Sequence, residues 1–352
     1  MPRSVLIVGA GPTGLTAAIE LARRGIMPTV IERRTDPSPL SRAVGLMAGS
    51  IEIFARSGTD SPILDEAIRF TGMTIFDGRR RLARFPLNFD DRSRVWGLPQ
   101  DRTEHHLGQT FARQGGEIRF GTSFSGLRET EDGVQVRMGD DEARFDLVVG
   151  ADGAHSDVRA AIGIPYEGVD LPGLWSIADV DCTDWPDPTG FRGFLLREGH
   201  VAVVVPMATD RYRVIASRPE ALAALPVPMP VTRIRRRGAF TIPVRQVPRY
   251  GTARVFLAGD AAHAHSPVGG RGMNLGIADA ADLARRIAED DLAGYSAARH
   301  AEGARVIAFS ERGRRMLQSR NPLRRETVKL ALRIVGRVDP LSRAGMRYFV
   351  NA

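Results

Sequence analysis

The residues best suited to chemistry in this chain sit in three glycine-rich stretches, each preceded by an apolar run. The first is Gly9-Ala10-Gly11-Pro12-Thr13-Gly14, which follows the run Ser4 to Val8. A helical pattern then continues through Ala18, Leu21 and Ala22 to Gly25, and a second apolar run, Pro28 to Ile31, ends at Glu32 with Arg33 beside it. This is the strand–turn–helix–strand spacing that cradles a dinucleotide. Gly9 permits the tight turn, Gly11 lets a pyrophosphate approach the backbone, and Gly14 allows close helix–strand packing. The helix start adds unpaired N–H groups and partial positive charge for phosphates. Glu32 falls where a carboxylate accepts hydrogen bonds from the hydroxyls of an adenosine ribose.

The other two stretches narrow the choice of nucleotide. Phe145 to Val149 runs into Gly150-Ala151-Asp152-Gly153, and Arg254 to Ala258 runs into Gly259-Asp260-Ala261-Ala262-His263. Asp260, at a strand end, can accept a hydrogen bond from a ribityl hydroxyl, a group that nicotinamide dinucleotides lack. Downstream lie Pro267-Val268-Gly269-Gly270-Arg271-Gly272-Met273-Asn274. Gly269, Gly270 and Gly272 carry no side chains, so a flat ring can come close to their backbone. A helix begins near Met273, with apolar positions Leu275, Ile277, Ala280, Leu283, Ala284 and Ile287, and its positive end would favour an anionic group beside those glycines.

In this order the three motifs resemble the class A flavoprotein monooxygenases, the family of para-hydroxybenzoate hydroxylase, phenol hydroxylase and the polyketide hydroxylases, over nearly the whole chain. The resemblance implies FAD as cofactor, NADPH or NADH as electron donor and O2 as co-substrate. The implied reaction is hydroxylation of an aromatic, polyketide-like or polyene-like small molecule through a flavin C4a-hydroperoxide. Epoxidation or Baeyer–Villiger-type oxygenation is the competing outcome, and a non-catalytic flavin-binding protein is the alternative from another class. The resemblance also implies that Arg42 binds the FAD pyrophosphate or ribose, that Gln100 lies near the flavin, and that Asp152 serves FAD pyrophosphate and NAD(P)H binding. Gly259, Asp260, Pro267, Gly270, Gly272, Met273 and Asn274 join Gly9, Gly11, Pro12, Thr13, Gly14, Glu32 and Arg33 as its cofactor contacts. Arg271 departs from the glutamine of many relatives. Related halogenases need an active-site lysine, whereas the single lysine here, Lys329, is in the C-terminal tail. No substrate base declares itself. His263, His265, Tyr212 and Arg245 are the candidates, each with a structural reading beside the catalytic one.

These motifs need a scaffold, and the composition bounds it. The chain has 352 residues, 43% hydrophobic and 26% charged, which is the make-up of a globular protein of about two domains. The net charge is +8, but arginines spread along the whole chain account for it, without aromatic interleaving, so no nucleic-acid partner is expected. No apolar run approaches the ~18 residues that span a bilayer, and no signal-like segment precedes the first strand, so no membrane and a cytoplasmic location are expected. Cys182 is the only cysteine, and none of the seven histidines falls in a credible ligand set, so no metal is expected. The fold class expected is α/β: a Rossmann-like (GR2-type) FAD-binding domain from residues 1–70, 99–173 and 250–290, an interleaved mixed β-sheet substrate domain from 71–98 and 174–249, and a C-terminal helical segment, 291–352. Asp101 is expected to cap a helix running to Gln114, and the tail's apolar positions to pack on the core or form a homodimer contact.

Overall fold

Val5–Val8 (β1) is apolar on both faces because both faces are covered, and it occupies the middle of a parallel sheet. That sheet runs β20 (Val255–Leu257), β12 (Leu147–Gly150), β1, β2 (Thr29–Glu32) and β8 (Ile118–Phe120), every adjacent pair parallel. The computed structural model describes residues 3–37, 43–87, 89–91 and 94–351. Helices α1 (Pro12–Ala22), α4 (Gln100–Arg113) and α6 (Gly272–Glu289) accompany the sheet, and Leu15, Ala18, Leu107, Phe111, Ile277 and Leu283 join its strands in one core. The expected cap does not form: α4 begins at Gln100 behind Pro99, without a side-chain cap, and Asp101 lies inside its first turn.

Beside this sheet, β9 (Phe124–Thr130), β10 (Gly133–Met138) and β11 (Asp141–Phe145) form an antiparallel meander. A small sheet joins β3 (Gly45–Met47), β7 (Val95–Gly97) and β4 (Ile68–Arg69), followed or linked by α2 (Ala48–Ala55) and α3 (Asp60–Glu66). Thus β7, inside the segment expected to belong to the roof, pairs with nucleotide-side strands instead. Another small sheet combines β13 (Glu167–Asp170), β19 (Pro243–Gln246) and β21 (His263–Ala264).

The roof is a seven-stranded mixed sheet ordered β18 (Arg233–Phe240), β14 (Trp175–Asp181), β17 (Arg211–Ala216), β16 (Val201–Ala208), β15 (Gly190–Leu195), β5 (Gly72–Asp77) and β6 (Arg80–Pro86). Alternation divides its faces, as a pleated strand requires. Val203, Val205 and Ile215 belong to a cluster with Val95 of the small sheet and with Val44 and Phe70, which flank its strands β3 and β4. Their neighbours Ala202, Val204, Tyr212 and Val214 belong to a second cluster under a Pro-rich strap, Pro226-Val227-Pro228-Met229-Pro230, with Leu222, Val227 and Met229. Arg235-Arg236-Arg237 lies in the edge strand β18, where charge blunts an otherwise open ladder.

Short helix α5 (Asp157–Ala161) follows β12, and α7 (Tyr295–Leu317), α8 (Pro322–Val335) and α9 (Asp339–Asn351) complete the chain. None of the helices among the described residues is long and apolar enough to cross a membrane. Parts of α7 and α9 pack inward, whereas α8 has no buried residue. The Arg271 guanidinium lies 4.7 Å over the Phe309 ring of α7, Phe309 meets Tyr348 of α9 at 5.6 Å, and Met346 is buried in the roof-side core.

Packing at the first turn of α1 is unusually strict: a Cβ on Gly14 would stand 1.9 Å from the Gly9 carbonyl oxygen. Gly14→Ala should therefore lose about 2–3 kcal/mol of stability from overpacking. In contrast, Gly108→Ala in mid-α4, where a Cβ meets only Ile118 at 3.9 Å, should gain about 0.5–1 kcal/mol. Urea unfolding of the two variants decides, and equal midpoints would refute the packing account.

Candidate functional site

Three neighbouring strands of the parallel sheet deliver the three motifs to one place. Ala151 N–H donates to Val8 O at 2.9 Å and Ala258 N–H to Gly150 O at 3.0 Å, so β1, β12 and β20 end side by side. Gly11, Asp152 and Asp260 leave from those ends, at the carboxyl edge where parallel sheets bind ligands. The glycines set the spacing. Gly9 has φ +104, and a Cβ there would strike Ala151 O at 2.5 Å. Gly259, at φ +62, and Gly276 of α6 would both drive a Cβ into Thr13 Oγ1, at 2.5 and 2.4 Å. Gly11, in contrast, has nothing within 4 Å of its missing Cβ. The loop is thus clamped on its protein side and open on its other side, the shape a diphosphate against bare backbone requires. The first bond within α1 runs from Leu15 N–H to Gly11 O, so the Thr13 and Gly14 N–H groups, just after Pro12 at the helix start, stand outside the helical ladder.

Glu32 ends β2 next to this loop and is buried. It accepts from Ala10 N–H at 3.0 Å, and its two oxygens take Nε and Nη2 of Arg34 at 3.0 and 3.2 Å. Burial works to raise the Glu32 pKa, but the bonds from Arg34 and the Ala10 and Arg34 amides prevail and hold it below the usual carboxylate value. Arg34 is the arginine that holds Glu32 in this corner, while Arg33, the expected cofactor contact, is exposed and faces Asp157 at 4.0 Å. Gln100 braces the adjoining loop: its Oε1 accepts from Ala43 N–H, its own N–H donates to Ala43 O, both at 3.1 Å, and Nε2 donates to Glu104. Arg42 lies outside the described residues.

Asp152 is turned to its own chain. It accepts from Ser156 Oγ at 2.5 Å and Val158 N–H at 3.1 Å, closing the start of α5, and burial raises its pKa. Arg159 ties two motifs together, donating to Ala154 O and Ala261 O, both at 2.9 Å, while its guanidinium lies 4.0 Å over Tyr166. Tyr166 in turn donates to Asp260 O at 3.0 Å. Sequence reading had no signal for Tyr166 or for Arg159 as a partly buried bridge.

In the flavin-type loop, Gly269 and Gly270 take φ +96 and +62, with Pro267 exposed and Gly270 N–H returning to Pro267 O. Helix α6 starts at Gly272, and its ladder opens with Leu275 N–H to Arg271 O, so the Gly272, Met273 and Asn274 N–H groups precede it. The Asn274 side chain is a knot. Oδ1 accepts from Met47 N–H and Ser50 Oγ, and Nδ2 donates to Gly45 O and Gly270 O. What it offers outward is backbone. Arg271 is buried, which brings its pKa down to about 10.

The four base candidates fare differently. Tyr212 is corrected: it packs with Trp185 and Val214 on the strap face, the far side of the roof from Val203 and Val205. Arg245 is occupied by Asp170 and Tyr166 O, and the carboxylate raises its pKa further, so it cannot accept a proton. His263 is fully buried with Nε2 2.6 Å from Asp279 Oδ2. His265 is pushed down to about 3 by burial, with the charges of His263 and Arg271 adding to the effect. An imidazole with so low a pKa is a weak base near neutral pH. A concavity of about 830 Å³ walled by Leu222, Pro226, Met229 and Ile234 lies on the strap side, apart from the motif loops.

Comparison with known proteins places this geometry in a family. A family described as FAD binding domain matches residues 3–224 and 218–310. The chain is 34% identical over 331 residues to rifampicin monooxygenase of Streptomyces venezuelae, covering 86% of this chain and 69% of that protein. It is 31% identical over 341 residues to dialkyldecalin synthase of Streptomyces rugosporus, covering 88% and 72%. Among solved structures, OxyS anhydrotetracycline hydroxylase from Streptomyces rimosus superposes with a TM-score of 0.80 at 29% identity, over 99% of this chain and 76% of that one.

The knot at Asn274 is testable by itself. Asn274→Asp keeps the size but removes both donors and sets a carboxylate against Gly45 O and Gly270 O. The expected loss is about 2–3 kcal/mol, read by urea unfolding, and an unchanged midpoint would remove the knot from the account.

Proposed function

The chain belongs to the class A flavoprotein monooxygenases of the FAD-binding-domain family, and on that premise we propose that it inserts one oxygen atom of O2 into an aromatic or polyketide-like small molecule at the expense of NADPH or NADH. The observation that carries the reading is the convergence of Gly11, Asp152 and Asp260 at three adjacent strand ends.

The residues present suit FAD. Backbone N–H groups of Thr13 and Gly14, beside the open face of Gly11, would hold the diphosphate, and Glu32 the adenosine ribose. Asp260 would take the ribityl chain, and the side-chain-free turn Gly269–Gly270 with the first N–H groups of α6 would face the ring. Bound FAD supplies the two-electron chemistry with nicotinamide and the activation of O2. The chain's own part is placement, dryness and proton control. Val203, Val205 and Ile215 of the roof, packed with Val44 and Val95, present an apolar face that excludes water from the reacting centre. We assign no side-chain base, since Arg245 and His265 are unsuited by charge and pKa and Tyr212 by position. Proton removal falls to hydrogen-bonded water or to the acidity of the substrate.

Hydroxylation is the primary reading, with epoxidation or Baeyer–Villiger-type insertion as other fates of the same oxygen. The likeness to dialkyldecalin synthase and to the solved Diels-Alderase PyrE3 supports a second reading, cyclisation. A cytoplasmic location completes the proposal, as does a homodimer, for which the exposed Leu323, Leu330 and Ile334 of α8 offer one face.

Purified protein should be yellow and release FAD on denaturation, and Glu32→Ala should weaken FAD by about 1–3 kcal/mol, the scale of a charge-assisted hydrogen bond. NADPH and NADH oxidation should be stimulated by members of a panel of phenols, quinones, polyketides and polyenes, with a product mass gain of about 16 units, one oxygen atom. Product of unchanged mass with no nicotinamide consumed would favour cyclisation and defeat the oxygenase reading.

A further inference from the structure

Asp279 lies in mid-α6 and has no exposed surface, so it cannot touch a ligand. Its carboxylate nevertheless gathers donors from three separate elements. Oδ2 accepts from Gly259 N–H at 3.0 Å and stands 2.6 Å from His263 Nε2, while Oδ1 accepts from Arg299 Nε of α7 at 2.6 Å. Burial alone would raise its pKa, but His263, Arg299 and the Gly259 amide outweigh burial and hold it below the ordinary carboxylate value. An ionised group kept in the core at such desolvation cost calls for a reason that an apolar side chain would not meet.

The partners supply the reason. Gly259 is the residue before Asp260, and its left-handed turn leaves Thr13 no slack. Gly276, less than one helical turn before Asp279, presses on the same Thr13. Asp279 therefore anchors, by a directional bond, the turn that must lie against the first turn of α1. The bond to His263 fixes the far end of the same turn, where β21 begins, and Tyr295 of α7 donates to Leu257 O on the strand leading in. Arg299 and Tyr295 come from one face of α7, so the helix grips the turn from below through both polar contacts.

We infer that Asp279 is a positioning residue of the cofactor site: acting through Gly259 and His263, with Arg299 holding its charge, it sets where Asp260 stands relative to the Gly11–Gly14 loop. The inference rests on the FAD reading of those loops. It predicts that loss of Asp279 is felt first as loss of FAD, not only as loss of stability.

The test uses the FAD-loaded protein, with FAD dissociation followed by ultrafiltration and flavin fluorescence, and with visible circular dichroism of the bound flavin. Asp279→Asn keeps the size, but one amide cannot accept from Gly259, His263 and Arg299 together. The FAD dissociation constant should rise roughly 10- to 100-fold and the flavin dichroism should change. His263→Gln retains a donor near the Nε2 position and should stay within about threefold of wild type, whereas His263→Leu should resemble Asp279→Asn. If Asp279→Asn lowers the unfolding midpoint while FAD affinity and dichroism remain those of wild type, or if the two His263 variants lose FAD equally, the positioning role is overturned. Should Asp279→Asn fail to fold, the His263 pair and Arg299→Gln carry the same decision. A wild-type protein without affinity for FAD would instead overturn the reading on which the inference stands.

Discussion

Contact between bare backbone segments at the carboxyl edge of the parallel sheet is the constraint on which the molecule depends. Gly9 meets Ala151, Gly14 meets Gly9, and Thr13 meets both Gly259 and Gly276, at separations that admit no Cβ. The contacts with Ala151, Gly259 and Gly276 draw separate parts of the chain to one point, because β1, β12 and β20 are distant in sequence but neighbours in the sheet. Register between parallel strands then becomes a functional variable. A slip of one residue would send every side chain of the strand to the opposite covered face and carry a motif loop out of line with the other two.

Around that edge, polar side chains act mostly on the protein and only indirectly on whatever it binds. Asp152 closes α5, Arg159 joins the second motif to the third, Asn274 stitches β3 to the loop before α6, and Gln100 holds Ala43. Buried donors and acceptors of this kind must be satisfied, and partners on separate elements make their satisfaction depend on the complete fold. The site is consequently preorganised: loops that would be costly to order on binding are held by bonds already made. Groups left to meet a cofactor are largely backbone N–H groups at two helix starts, which suit an anionic, extended nucleotide.

The roof and the tail divide the remaining work. Alternation in the seven-stranded sheet gives one apolar face to the nucleotide-side strands and another to the Pro-rich strap. Within the first face lies the buried pair Asp179–Arg213, bonded through both Nε and Nη2 at 2.7 and 2.8 Å, a polar pin in an otherwise apolar layer. Helices α7 and α9 reach back over both sides, Phe309 to Arg271 by the ring loop and Arg347 to Asp90 by the roof, so the C-terminal segment is part of the site's frame.

Sequence alone determined the parts of the site that depend on local backbone rules. Glycine spacing, apolar runs ending in an acid and a helical stripe from Leu275 to Ile287 each follow from steric and periodic demands within a few residues, and together they disclosed the fold class, a dinucleotide site and the order of the motifs, from which the family resemblance implied FAD. Roof strands β14 to β17 were legible for the same reason, since their alternation is continuous. Tertiary structure decided which side chain does what. Arg33 and Arg34 are adjacent and alike in sequence, yet only Arg34 reaches Glu32. Tyr212 reads as a polar residue for a pocket until strand parity sends it to the opposite face. Asp279 reads as one more residue of an amphipathic helix, and only the meeting of β20, β21 and α7 reveals it as a buried anchor. Long-range partners have no sequence signature, because they are set by packing between elements whose separation along the chain carries no information about their distance in space.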